Sequence, residues 1–141
     1  MSDPENGGLR ASVQQAWRDH QLPMVDAVVF GDGTAVPVEY HRLAPGGVAG
    51  VGARIRDRAR RSLHPSVRWI EVAELAEVED PSAGLRFSCG EGSFGGDGYV
   101  ACAGLRAGEL LWAAVFQESN PFVTLRLAGE WLEARNTHGH V

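Results

Sequence analysis

Seven consecutive apolar residues, Leu110-Leu111-Trp112-Ala113-Ala114-Val115-Phe116, are bounded by Gly108 on one side and by Asn120-Pro121 on the other. Such a run is too short for a buried helix, and its glycine and proline boundaries suit a strand covered on both faces. The expectation is a central strand, with the segments after Val67 pairing around it and those before it supplying cover.

Downstream of residue 84 the pattern is regular. Leu85, Phe87 and Cys89 alternate with Arg86 and Ser88, and Tyr99 to Ala103 returns after a glycine-rich loop, 90 to 98. Val123, Leu125 and Leu127 alternate with Thr124 and Arg126, and Trp131 to Asn136 closes the series. Strands joined by such short loops predict an antiparallel meander. Upstream, Leu9, Val13, Ala16, Trp17 and His20 keep helical spacing until Pro23. Val25 to Phe30 and Thr34 to Tyr40 form a hairpin about Gly31-Asp32-Gly33, placed at a sheet edge because Pro37 has no ladder donor. Ala53 to Leu63 reads as a second, surface helix with Ile55, Ala59 and Ser62 or Leu63 inward and Arg54, Arg58 and Arg61 on its flank. Val67 to Val72 is a strand, and Ala73 to Val78 fits neither period. The predicted fold class is α+β: an antiparallel β-meander of about five to seven strands with two helices packed on one face. Residues 9–141 form one domain behind a disordered lead at 1–8.

A chain of 141 residues buries roughly two thirds of its unfolded surface and needs no metal or disulfide to fold. Its basic residues are all arginine. Without lysine there is no Schiff-base, P-loop or kinase ATP-binding lysine. Net charge is −5, unevenly spread, since Arg54, Arg56, Arg58, Arg60 and Arg61 are partly neutralised by the acidic run Glu71, Glu74, Glu77, Glu79, Asp80. An acidic remainder repels nucleic acid and favours a basic partner. The polar, acidic start and the absence of a long apolar run predict a cytoplasmic protein that does not enter a membrane. A hairpin closing near residue 93 sets Cys102 four residues out of register with Cys89, so both cysteines are expected as small core residues.

Gly90-Glu91-Gly92-Ser93-Phe94-Gly95 matches a dinucleotide-binding spacing, but a strand follows it where that chemistry needs a helix. Neither Ser93 nor Ser119 sits in a nucleophile elbow, and Cys89 falls on a buried face. His138 and His140 lack a third ligand at metal spacing. The expectation is no catalytic set, no metal and no cofactor. The 90 to 98 loop is long enough to be a binding loop, with Asp97 and Tyr99 as its contact side chains. Glu118 and Asn120 on the following turn, and Trp131 as an interface anchor, complete the expected partner-binding set.

Gly95-Gly96-Asp97-Gly98-Tyr99-Val100, Leu111-Trp112, Ser119-Asn120-Pro121-Phe122 and Asn136-Thr137-His138-Gly139 resemble small bacterial toxin-immunity proteins. The resemblance covers roughly the C-terminal third and implies a non-enzymatic protein that binds and blocks a partner toxin; the acidic surface suits a basic partner, a toxin or an enzyme. The alternative is a small-molecule-binding protein or small enzyme of bacterial secondary metabolism, its ligand held between the helices and the sheet near Trp17, Tyr40 or Trp112. A third is a homodimer paired through an edge strand.

Overall fold

The computed structural model describes residues 4–42, 51–55, 60–129 and 131–136. One helix, α1 (Pro4–Arg18), is followed by β1 (Gln21–Pro23), β2 (Ala27–Phe30), β3 (Thr34–Arg42), β4 (Val51–Ile55) and β5 (Arg61–Ser62). Then come β6 (Trp69–Asp80), β7 (Leu85–Gly92), β8 (Gly98–Gly104), β9 (Leu110–Phe116), β10 (Phe122–Ala128) and β11 (Trp131–Asn136). The main sheet is antiparallel, runs β1-β6-β7-β8-β9-β2-β3-β4, and carries β5 beside β3. The last two strands form a separate two-stranded sheet. Among the described residues the molecule is therefore mostly β, a curled sheet with one short helix, and the expected meander under two helices is corrected.

Three particulars account for the difference. At 51–55 the apolar residues Val51, Ala53 and Ile55 alternate with Gly52 and Arg54, a period of two, and the segment pairs with β3 from Val38↔Ile55 to Arg42↔Val51. The second helix thus gives way to strands β4 and β5. The free edge of β9 is taken by β2, from Ala27↔Val115 to Phe30↔Trp112, so β10 cannot join there. And α1 begins at Pro4, a residue suited to a first helical position, inside the segment expected as a disordered lead. It ends sooner than expected, with His20 already at φ 59.

The hairpin β2–β3 lies inside the sheet rather than at its edge. The Val38 N–H donates to Asp26 O at 3.0 Å on the β2 side, so Pro37 turns its nitrogen to the other side. There β5 pairs Thr34 and Ala35 while β4 starts at Val38, and Pro37 falls in the gap between them. No ladder bond is lost.

Strand β8 is buried at all seven residues. Its side chains divide between two cores. Tyr99 and Ala101 join Ala27, Val29, Ala113 and Val115 on one face, packed against Val13 and Trp17 of α1. Val100 joins Cys89, Trp112 and Phe116 on the other, covered by Phe122, Leu125 and Leu132 of the β10–β11 hairpin. Phe116 and Phe122 meet with ring centroids 5.9 Å apart. The run 110–116 is thus a strand next to the sheet centre, as its composition implies.

α1 is locked to the sheet through Gln14. Its Nε2 donates to Leu110 O at 2.9 Å and Gly31 O at 3.1 Å, and its Oε1 accepts the Leu110 N–H at 2.9 Å. That amide fills the break where Leu111 is the extra residue of a β-bulge, between Cys102↔Trp112 and Ala103↔Leu110. Gly31 allows the approach, since a Cβ there would stand 1.9 Å from Leu110 O. Trp17 Nε1 adds a bond to Gly108 O at 3.1 Å. Replacing Gln14 by Ala leaves three part-buried backbone groups without this partner, and the expected loss is roughly 1–3 kcal/mol. Urea unfolding is the check: the midpoint falls while the slope stays unchanged.

Candidate functional site

β6 is the longest strand, and it is paired on its outer side only at one end. β1 covers Trp69 to Glu71, and the Val72 N–H donates to His20 O at 2.8 Å. From Ala73 to Asp80 no strand of the described residues pairs with β6 on that side, although β10 lies close against the strand. β1 is short because the chain leaves it after Pro23 to build β2 in the other half of the sheet.

The exposed edge is bulged and acidic. Leu75 is the extra residue between Glu74↔Gly90 and Ala76↔Cys89, and it is 45% exposed. Past the bulge, Glu77 stands opposite Ser88 and Glu79 opposite Arg86. The Arg86 guanidinium pairs with both Glu74 and Glu77, which hold its charge firmly although partial burial opposes it. Glu71 and Glu79 are exposed and have no ion pair among the described residues. Bulges and like charges on an edge keep identical copies from pairing through it.

At the other end of β7 the loop and the turn singled out from sequence meet. The Asn120 N–H donates to Gly96 O at 2.9 Å, and Asn136 Nδ2 donates to Ser119 O at 2.7 Å. Gly98 lets them close, since a Cβ there would stand 2.4 Å from Asn120 O. Asn120 itself is at φ 64, a conformation asparagine tolerates in turns. The loop is shorter than read, 93 to 97, because β7 runs on to Gly92 and β8 starts at Gly98. Gly90 and Gly92 lie within β7, and β8 follows where a nucleotide-binding turn would open a helix.

The expected contact residues scatter. Asp97 is 3% exposed, with its carboxylate over Gly92, where an added Cβ would lie 2.1 Å from Oδ2. Tyr99, also 3% exposed, points into the helix-side core. Burial raises its hydroxyl well above the usual range, helped by the charge of Glu74 and opposed by a hydrogen bond with Ser88. Glu118 is exposed and Asn120 half-buried. Trp131 is 76% exposed but sits beside the turn that joins β10 and β11, whereas the Phe122↔Asn136 end of that hairpin adjoins the 119–120 turn. The structure brings Asp97 and Asn120 together, and leaves Trp131 at the far end of the hairpin.

Among the described residues no group of His, Cys, Asp and Glu could hold a metal, and His138 and His140 lie outside them. No helix is long and apolar enough to cross a membrane. Trp17 and Trp112 belong to opposite cores and cannot line one ligand pocket, while the side chain of Tyr40 lies outside the description. Beside α1 there is a cleft of about 360 Å³ lined by Arg10, Phe30, Asp32, Arg60 and Glu109. Two of its charges already serve one another: Arg60 lies 3.7 Å over the Phe30 ring and pairs with Asp32 at 3.2 Å.

No family model, curated protein or solved structure matches this chain.

The feature that motifs and spacing do not mark is the β6 edge. Its acids read as a counterweight to the Arg54–Arg61 segment, whereas the cation set against Glu74 and Glu77 is Arg86. The signal was the broken period at 73–78. A bulge breaks the alternation at one residue and leaves it intact on either side.

Both thiols are free and buried. Cys89 pairs opposite Val100, and Cys102 opposite Phe87, so the two are two residues out of step rather than four. Cys89 Sγ donates to Phe122 O at 3.4 Å, and burial with the nearby Glu74 charge pushes the thiol up to about 11. Such a thiol is inert at neutral pH. Asp97 is different in kind, since neither carboxylate oxygen has a hydrogen-bond partner among the described residues. Leaving a buried acceptor unmet costs about 1–3 kcal/mol, more if charged. Asp97→Ala is accordingly expected to raise the urea midpoint, and a fall of the midpoint would show that the carboxylate is held by a stabilising partner.

Proposed function

We propose that this chain is a non-enzymatic, cytoplasmic protein-binding module that captures a basic partner, in the manner of a protein that occupies and blocks a toxin or an enzyme. One observation carries the reading: the outer edge of β6 from Ala73 to Asp80 is unpaired among the described residues, bears Glu74, Glu77, Glu79 and Asp80, and exposes Leu75 at its bulge. An unpaired strand edge flanked by carboxylates is a surface that an extended basic segment can meet. The net charge of −5 adds long-range attraction for a basic protein.

The reading is tested by affinity capture from a lysate of the parent organism, with the native protein and the Glu79→Lys variant run side by side. A single basic protein retained stoichiometrically, released as salt rises, and weakened by the substitution is the expected result. Retention that neither salt nor Glu79→Lys alters, or no retained protein, contradicts it.

A further inference from the structure

We infer that the partner binds by adding a strand to β6: an extended segment of another protein, with basic and apolar residues in alternation, pairs its backbone with the edge between Ala73 and Asp80. The inference rests on the protein-binding reading above and specifies how that surface is used.

The shape of the occupant follows from what is unmet. An edge strand offers a row of N–H and C=O groups in one plane at strand spacing, and an extended peptide is the partner that satisfies them. β6 offers such a row over Ala73 to Asp80, where no strand of the described residues is paired on that side. The mostly exposed burial pattern of the strand leaves the approach open.

The chemistry of the occupant follows from the bulge. The register Glu74↔Gly90, Glu77↔Ser88 and Glu79↔Arg86 places all three glutamates on the sheet face that carries Arg86. Without the extra residue at Leu75, strict alternation would send Glu77 and Glu79 to the opposite face from Glu74. The other face of β6 carries Ala76 and Val78, opposite Cys89 and Phe87, and Ala76 packs against the hairpin-side core. An added strand therefore meets Glu74, Glu77 and Glu79 on one face and the half-buried Ala76 and Val78 on the other, where Asp80 ends the row opposite Leu85. Cations at every second position, apolar residues between them, complete both faces. A second copy of this chain does not fit, because pairing β6 with itself would set glutamates against glutamates.

The probe is a short synthetic peptide of alternating Arg and Val, followed by fluorescence anisotropy with the full chain. Three relatives of the peptide accompany it: one with Glu in place of Arg, and two N-methylated at alternate residues, each removing the amide hydrogens along one of its edges. The Arg peptide is expected to bind and the Glu peptide not to. N-methylation along one edge abolishes binding, and along the other leaves it intact. Glu79→Lys, exposed and outside any ion pair of the described residues, lowers affinity about tenfold. Arg126→Glu, on the hairpin, does not lower it. The inference is overturned if the Arg peptide fails to bind, if both N-methylated forms bind as well as the parent, or if sedimentation shows copies of the chain pairing through this edge. These outcomes separate from the broader reading. A lysate partner held without sensitivity of the edge to N-methylation would remove strand addition alone, and peptide binding without any lysate partner would remove the protein-binding reading alone.

Discussion

Burial of β8 on both faces is the constraint from which the rest of the structure follows. A strand whose every residue is buried in mid-sheet requires cover above and below, and its small residues, Ala101, Cys102 and Ala103, draw that cover close. One helix cannot lie on two faces. α1 takes one, held by Gln14 at the β9 bulge, and the β10–β11 hairpin takes the other, held by the Phe116–Phe122 contact and the Cys89 thiol on Phe122 O. The glycines at the ends of β8 fit the same demand, since a Cβ at Gly98 would strike the 119–120 turn and one at Gly104 the Glu109 carboxylate, 2.0 Å away.

The β10–β11 hairpin lies close over β6 and β7 but adds no paired strand to the margin of the sheet. Only three residues of β1 reach β6, and beyond them the edge depends on its own side chains for protection. Arg86, drawn between Glu74 and Glu77, steadies two of the acids without neutralising the strand. The same bulge that discourages self-pairing also brings Glu74, Glu77 and Glu79 to one face. Protection against the wrong partner and selection of the right one thus come from one inserted residue.

Much of this was legible in the residues, and the failures are instructive. Period-two alternation at 85–89 and 123–127, and the apolar run at 110–116, named their strands correctly because burial acts on each side chain locally. What alternation cannot say is which strand is the neighbour. β9 pairs with β2 from the distant N-terminal part, and the hairpin after Pro121 crosses to the other face, outcomes decided by which surfaces remained uncovered. The segment 51–55 was misread because arginines at helical spacing outweighed a two-residue alternation equally present. The expected site residues were chosen as loop residues, yet Asp97 and Tyr99 turn inward, since their loop is tightened by Gly92, Gly98 and the Asn120–Gly96 bond. The acidic edge was hidden by the bulge at Leu75, which disguises a single strand as an ambiguous one.

The most direct test is native-state hydrogen exchange resolved by amide, comparing β6 with β8. Both edges of β8 are paired, so its amides should exchange only through global unfolding. Between Ala73 and Asp80 the account predicts a split: amides directed at β7 are protected, and those directed outward exchange by local opening, orders of magnitude faster than β8. Uniform protection of that stretch at the level of β8 would mean that the edge is already covered, and would contradict the account.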